Sequence, residues 1–172
     1  NDQTACIVIQ SPNFFGAIER LDRIIPTAHA AGALAVVSTD PIACGMLKSP
    51  GELDADIVVG EGQCLGIPLQ YGAPYLGLIA TREKYLRKLP GRIVGQTVDR
   101  EGRRGFCLAL QTREQHIKRE RATSNICTNQ GLFAARASVY MAAMGRQGIG
   151  KVANQCFDKA HYAAECIAKL KG

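Results

Sequence analysis

Lysine is missing from the long stretch between Lys48 and Lys84 of this 172-residue chain. That stretch therefore cannot supply the side-chain amine that covalent Schiff-base catalysis requires. Tryptophan is absent, and all aromatic residues together make up 6% of the chain. The sequence thus lacks the row of aromatic rings on which proteins stack the bases of single-stranded nucleic acids.

Long apolar runs and metal-ligand spacings are absent as well. No run of about 18 uninterrupted apolar residues occurs, so we expect no membrane span. The seven cysteines never form a Cys-x-x-Cys pair, and the three histidines are scattered. Such spacing fits neither a disulfide framework nor a metal site, so we expect no metal and a reduced, cytoplasmic protein. The first residues include neither Met nor a signal segment, which indicates processing or an excerpt from a longer chain.

Positive charge is present in excess, with a net charge of +6. The basic residues concentrate at 82–88, 100–104 and 113–121, and acidic residues interrupt each of these clusters. A basic balance can serve nucleic acid, a membrane surface or an anionic ligand. Because aromatic rings are few, we favour a solvated face or a phosphate-facing rim and expect no nucleic-acid binding.

The first 40 residues follow a strand–helix–strand pattern. Residues 5–10 and 34–38 are apolar except for the last residue of each, as strands buried on both faces are. Between them, apolar residues recur at helical spacing, which predicts a helix over 15–31 that Pro26 would kink or divide. Such a unit predicts an α/β fold, a parallel sheet with helices packed on it.

The remaining elements are predicted from the same rules. We expect strands at 56–59 and 75–80, a helix at 82–89 capped by Thr81, a hairpin of 93–98 and 106–110 with a mobile basic tip, and helices at 129–145 and 149–170. The last helix has a regular apolar stripe, which packs along its own domain or bridges two domains or subunits; we favour the first. The stripe consists of Ile149, Val152, Ala153, Cys156, Ala160, Ala163, Ile167 and Leu170.

The loop over 60–77 is rich in glycine and proline. Ligand sites of α/β proteins lie at the carboxyl ends of parallel strands, and this loop follows such a strand. Its composition is equally typical of an irregular surface crossover, so composition leaves both interpretations open.

Sequence motifs add a family resemblance. In the glycine cleavage system P-protein family, the catalytic half has a His-Lys pair followed by Ile-Pro-x-x-x-Gly-x-Pro-x-x-Gly. This chain has the same pattern from Ile67 to Gly77 without a gap, and the whole chain resembles the non-lysine half of P-proteins, the alpha subunit or subunit 1. Counting back from Ile67 puts Gln63 at the Schiff-base lysine position, whereas counting from residues 55–56 puts Cys64 there. Neither side chain is an amine, so the resemblance implies no catalytic residue in this chain.

The same comparison bears on a second feature of the catalytic half, the Asp that pairs with the pyridine nitrogen of pyridoxal 5'-phosphate. The resemblance puts Val37 near that position, with Asp40 three residues further on. The resemblance therefore implies that this chain lacks both the Schiff-base lysine and the pyridine-binding aspartate of the catalytic half.

Residues 110–130 match the non-lysine half of P-proteins closely. In related enzymes this segment reaches across the dimer to the phosphate of the partner's cofactor, which implies phosphate-binding roles for Thr123, Arg121, Ser124 and Asn125. Hydroxyl, amide and guanidinium groups suit a phosphate dianion. From the residues alone, a solvated face with ion pairs is the favoured interpretation of 113–121. Asn13, after the first strand, either touches a ligand or caps a turn.

The resemblance implies the three-layer αβα large domain of fold-type I pyridoxal-phosphate-dependent transferases, in part. Residues 1–148 would be the later part of that domain, and 149–172 a helix leading toward an absent small domain. The implied function is that of the non-lysine subunit of glycine dehydrogenase (decarboxylating), in a heterotetramer. Its lysine-bearing partner would hold pyridoxal 5'-phosphate covalently, decarboxylate glycine and pass the aminomethyl group to the lipoyl arm of H-protein. This chain alone would be inactive. The alternatives are an inert scaffold that only dimerises, and a basic nucleic-acid binder.

Overall fold

The computed structural model of the chain describes residues 3–72, 74–91, 93–110, 115–122 and 130–170. These residues fall into two compact units, one of Asn1–Ala80 with Leu132–Gly172 and the other of Thr81–Gly131. None of the helices within the described ranges is long and apolar enough to cross a membrane.

The first unit contains a four-stranded sheet in the order β1-β2-β3-β4. The strands are β1 (Cys6–Gln10), β2 (Leu34–Ser38), β3 (Ile57–Glu61) and β4 (Gly77–Thr81). β2 pairs in parallel with both β1 and β3, so the predicted parallel arrangement is confirmed for these three strands. Strands β3 and β4 begin one or two residues later than the sequence predicts.

Helix α1 (Leu21–Ala30) covers one face of this sheet. Its apolar side chains at helical spacing are buried against alternate residues of β1, β2 and β3. The predicted start at residue 15 is wrong, because Asn13 holds residues 13–17 in a turn. Pro26 lies inside α1, which continues through it. The buried residues of this first core are Leu21, Ile25, Ala35, Val37 and Ala55.

Two helical segments meet within α3 (Gly131–Ala168), because Gly145 has non-helical backbone angles there (φ 59°, ψ 179°). The division agrees with the two helices that the sequence predicts. Both segments pack on the loop between β3 and β4 and form a second core. The buried residues of this second core are Ile42, Leu65, Ile67, Leu76, Ala137 and Ala153.

The apolar stripe of the second segment packs only at its start. Ile149, Val152 and Ala153 belong to the second core, whereas every residue from Asn154 to Leu170 is exposed. The favoured interpretation, a helix packed along its own domain, therefore holds only for the first turn or so.

The second unit consists of short elements. The residues expected to form an α-helix at 82–89 form a 3-10 helix (Glu83–Lys88), whose N-cap residue is Arg82 rather than the predicted Thr81. The predicted hairpin is confirmed as β5 (Ile93–Val98) and β6 (Arg104–Ala109), paired antiparallel. A four-residue helix, α2 (Gln115–Lys118), and a 3-10 turn (Arg119–Arg121) follow.

Candidate functional site

A cleft lies at the carboxyl ends of β1, β2 and β3. Its volume is about 500 Å³. This is the edge of a parallel sheet at which α/β proteins place ligands. The cleft is lined by Gln10, Pro12, Ser38, Thr39, Asp40, Glu61, Gln63 and Cys64.

Backbone and hydroxyl groups tie the three strand ends together. The Ser11 N–H donates to the Ser38 carbonyl oxygen at 2.9 Å, and the Thr39 N–H donates to the Val59 carbonyl oxygen at 3.0 Å. The Thr39 hydroxyl donates to the Ser11 carbonyl oxygen at 2.9 Å. At Gly60 a side chain is excluded, because a Cβ there would lie 2.6 Å from the Thr39 oxygen. The floor of the cleft is therefore fixed by hydrogen bonds and by one obligatory glycine.

Asp40 and Cys64 face each other in the cleft. One Asp40 carboxylate oxygen, Oδ1, accepts from the Ile42 N–H at 2.8 Å and from the Cys64 thiol at 3.6 Å. Burial of the thiol, together with the charge and hydrogen bond of Asp40, raises the pKa of Cys64 to about 11. Cys64 is therefore a neutral thiol at physiological pH, and the thiolate that would act as a nucleophile is scarce.

Glu61 anchors the loop that begins at the cleft. Its Oε1 atom accepts from the backbone N–H groups of Gln63 at 3.0 Å and Leu76 at 2.6 Å. The Gly62 N–H donates to the Leu76 carbonyl oxygen at 2.7 Å, next to the same contacts. One carboxylate thus holds both ends of the predicted Gly/Pro loop together.

Gln63 has a buried amide nitrogen. Its Nε2 atom has no hydrogen-bond partner among the residues that the structure describes. Burying an amide donor in this way costs free energy. Gln63 and Cys64, the two residues at the expected lysine position, are brought together in one cleft with Asp40.

The side chains of the cleft do not fit pyridoxal phosphate. An amide and a thiol cannot replace the amine of a Schiff-base lysine, and the lining contains two carboxylates but no lysine or arginine to meet a phosphate dianion. Val37, near the position of the pyridine-binding carboxylate, is fully buried in the first core. The cleft can donate and accept hydrogen bonds, and it can attract cations, but it has no group that holds this cofactor.

Other residues singled out from the sequence lie elsewhere. The Asn13 side chain accepts from the N–H groups of Phe15 and Ala17, so it caps a turn. Arg121 belongs to the second unit, where its side chain is 85% exposed and lies 4.0 Å from Glu120. Thr123, Ser124 and Asn125 lie outside the described residues, so their phosphate-binding role stays a prediction.

Sequence reasoning missed the contacts that hold the cleft. The family resemblance points to Asp40 only as a residue near the position of the pyridine-binding carboxylate, and no motif points to Glu61. Asp40 and Glu61 bond to backbone N–H groups and to a thiol, and such partners produce no recognisable sequence motif. A usable signal was their position, since each carboxylate lies at or just beyond the end of a parallel strand.

Comparison with known proteins identifies the family. A model of the glycine cleavage system P-protein family matches residues 1–172. The probable glycine dehydrogenase (decarboxylating) subunit 1 of Thermomicrobium roseum is 62% identical over 170 residues, which are 99% of this chain and 38% of that protein. The protein of the same description from Desulforamulus reducens is 63% identical over 170 residues, again 99% of this chain and 38% of that protein. The chain thus spans about two fifths of the length of these relatives.

Solved structures give the same result for the fold. A crystal structure of glycine decarboxylase (P-protein) of the glycine cleavage system, in inhibitor-bound form, matches with a TM-score of 0.95 and 46% identity, over 99% of this chain and 39% of that one. The cysteine desulfurase CsdA from Escherichia coli matches with a TM-score of 0.59 and 20% identity, over 100% of this chain and 40% of that one, which shows the fold alone. The predicted fold, part of the α/β large domain of fold-type I pyridoxal-phosphate enzymes, is confirmed. The chain belongs to the glycine cleavage system P-protein family and resembles its subunit 1 over nearly its whole length.

Proposed function

We propose that this chain is part of the non-lysine subunit of a glycine dehydrogenase (decarboxylating), and that it acts in the cytoplasm with a lysine-bearing partner subunit in a heterotetramer. The partner would hold pyridoxal 5'-phosphate covalently, release CO2 from glycine and pass the aminomethyl group to the lipoyl arm of H-protein. The cofactor, when bound to the partner, supplies the electron sink for the decarboxylation. The six described cysteines are free, in keeping with a reducing compartment.

The observation that carries the proposal is the cleft at the strand ends. It lies where the fold places ligands, yet its two carboxylates, Asp40 and Glu61, accept from backbone N–H groups and from the Cys64 thiol. Since the cleft does not fit the cofactor, we infer that the chain contributes to the site of another subunit.

The residues proposed for that contribution are Thr123, Arg121, Ser124 and Asn125. Arg121 is exposed, and within the part of the chain that the structure describes its guanidinium lies 4.0 Å from the Glu120 carboxylate. An exposed guanidinium can bind a phosphate dianion with paired hydrogen bonds. The hydroxyl and amide groups that follow would complete the phosphate contacts.

The test uses a full-length subunit that contains this sequence, the lysine-bearing partner and lipoylated H-protein. Glycine–bicarbonate exchange is measured for the partner without this subunit, with it, and with its Thr123→Ala variant. We expect exchange only with the subunit, and a lower affinity for pyridoxal phosphate with Thr123→Ala. Thr27→Ala is the matched control, because Thr27 is exposed on α1 and its hydroxyl donates to the Arg23 carbonyl oxygen of the same helix.

The inert scaffold is the competing function. It predicts that Thr123→Ala and Arg121→Ala leave both turnover and cofactor affinity unchanged. Full exchange by the partner alone would also refute the proposed site residues.

A further inference from the structure

We draw no further inference here: the strongest candidate, the cleft at the carboxyl ends of β1, β2 and β3 with the carboxylates of Asp40 and Glu61, belongs to the site already described, and nothing in the described part of the chain shows which ligand those two carboxylates would bind.

Discussion

Cys64 shows, at the scale of one residue, how the cleft suppresses reactivity. With a pKa of about 11, its thiolate fraction at pH 8 is about one part in a thousand. Partial burial is the larger cause, and the Asp40 carboxylate is the second. Removing that negative charge lowers the cost of forming the thiolate, so the pKa of Cys64 falls in an Asp40→Asn variant.

We expect alkylation of Cys64 by iodoacetamide to be slow at pH 8 and to accelerate as the pH approaches 11. Asp40→Asn should raise the rate at pH 8 about 3- to 10-fold. Peptide mass spectrometry measures the rate for each cysteine separately, with Cys107, which is exposed as Cys64 is, as the internal comparison. Equal rates at Cys64 in the two proteins would show that Asp40 does not control the thiol.

Asp56 is the second residue whose surroundings determine a measurable effect. It is 2% exposed, and its Oδ2 atom accepts from the Ala35 N–H at 3.0 Å and bonds His29 Nε2 at 2.7 Å. In Asp56→Ala the buried Ala35 N–H loses that acceptor, so we expect the free energy of unfolding to fall by about 2–4 kcal/mol. Urea denaturation followed by circular dichroism measures the change.

Asp54→Asn is the control for that prediction. Asp54 is 70% exposed and lies 4.0 Å from the same histidine, and asparagine tolerates its positive φ of 77°. We expect a change below about 0.5 kcal/mol. Equal losses in the two variants would mean that burial of Asp56 does not decide its contribution.

Among the elements, the close packing of α3 on the turn at Ala43–Gly45 makes the clearest prediction. A Cβ at Gly45 would lie 3.0 Å from the Ala153 Cβ and 3.1 Å from the Ile149 carbonyl oxygen. Gly45→Ala therefore forces the helix away, and we expect a loss of about 1–3 kcal/mol of stability. Gly51→Ala is the matched control, since its Cβ would meet nothing within 4 Å. Its stability should stay the same or rise slightly.

The elements also show what the sequence could predict. An apolar run predicts strand β2, and this prediction agrees with the structure. A glycine predicts the break near Gly145, which the structure also has. Helix α1 begins six residues later than predicted, because Asn13 and Ser11 bind the backbone of the residues before it. Local periodicity carries no information on such capping contacts.

For the cleft, the sequence left a ligand site as one of two open interpretations of the 60–77 loop and revealed none of the bonds. The position of Gln63 and Cys64 followed from the resemblance, whereas the Asp40–Cys64 and Glu61–Leu76 contacts join residues 24 and 15 positions apart. Contacts at that separation depend on the fold as a whole, so residue types and spacing could not reveal them.

At the scale of the whole molecule, positive charge is concentrated in one of the two units. If that unit meets an acidic protein surface, association should weaken with salt, because ions screen the attraction. We expect the dissociation constant for the lysine-bearing partner to rise about 10-fold between 50 and 200 mM NaCl. Titration of the full-length subunits at four salt concentrations measures this.

Charge reversal outside the basic unit provides the control. Lys151→Glu changes an exposed residue of the first unit by the same charge as Arg100→Glu changes the second. We expect the salt dependence to become shallower with Arg100→Glu only. If both variants alter the salt dependence of the dissociation constant equally, then the net charge of the chain controls association, and not the charge of Thr81–Gly131.

The hydrogen bonds of Asp40 and Glu61 in the cleft at the strand ends have an evolutionary consequence. Installing a lysine at Gln63 or Cys64 would not restore a catalytic half, because Val37 is fully buried in an apolar core where an aspartate would lack a partner. Asp40 and Glu61 would pair with the new amine, and both already hold backbone groups in place. Each single substitution toward the residues of the catalytic half would lower the stability of the chain before it restored any activity. Packing and hydrogen bonds would therefore preserve the proposed division of labour between two kinds of subunit.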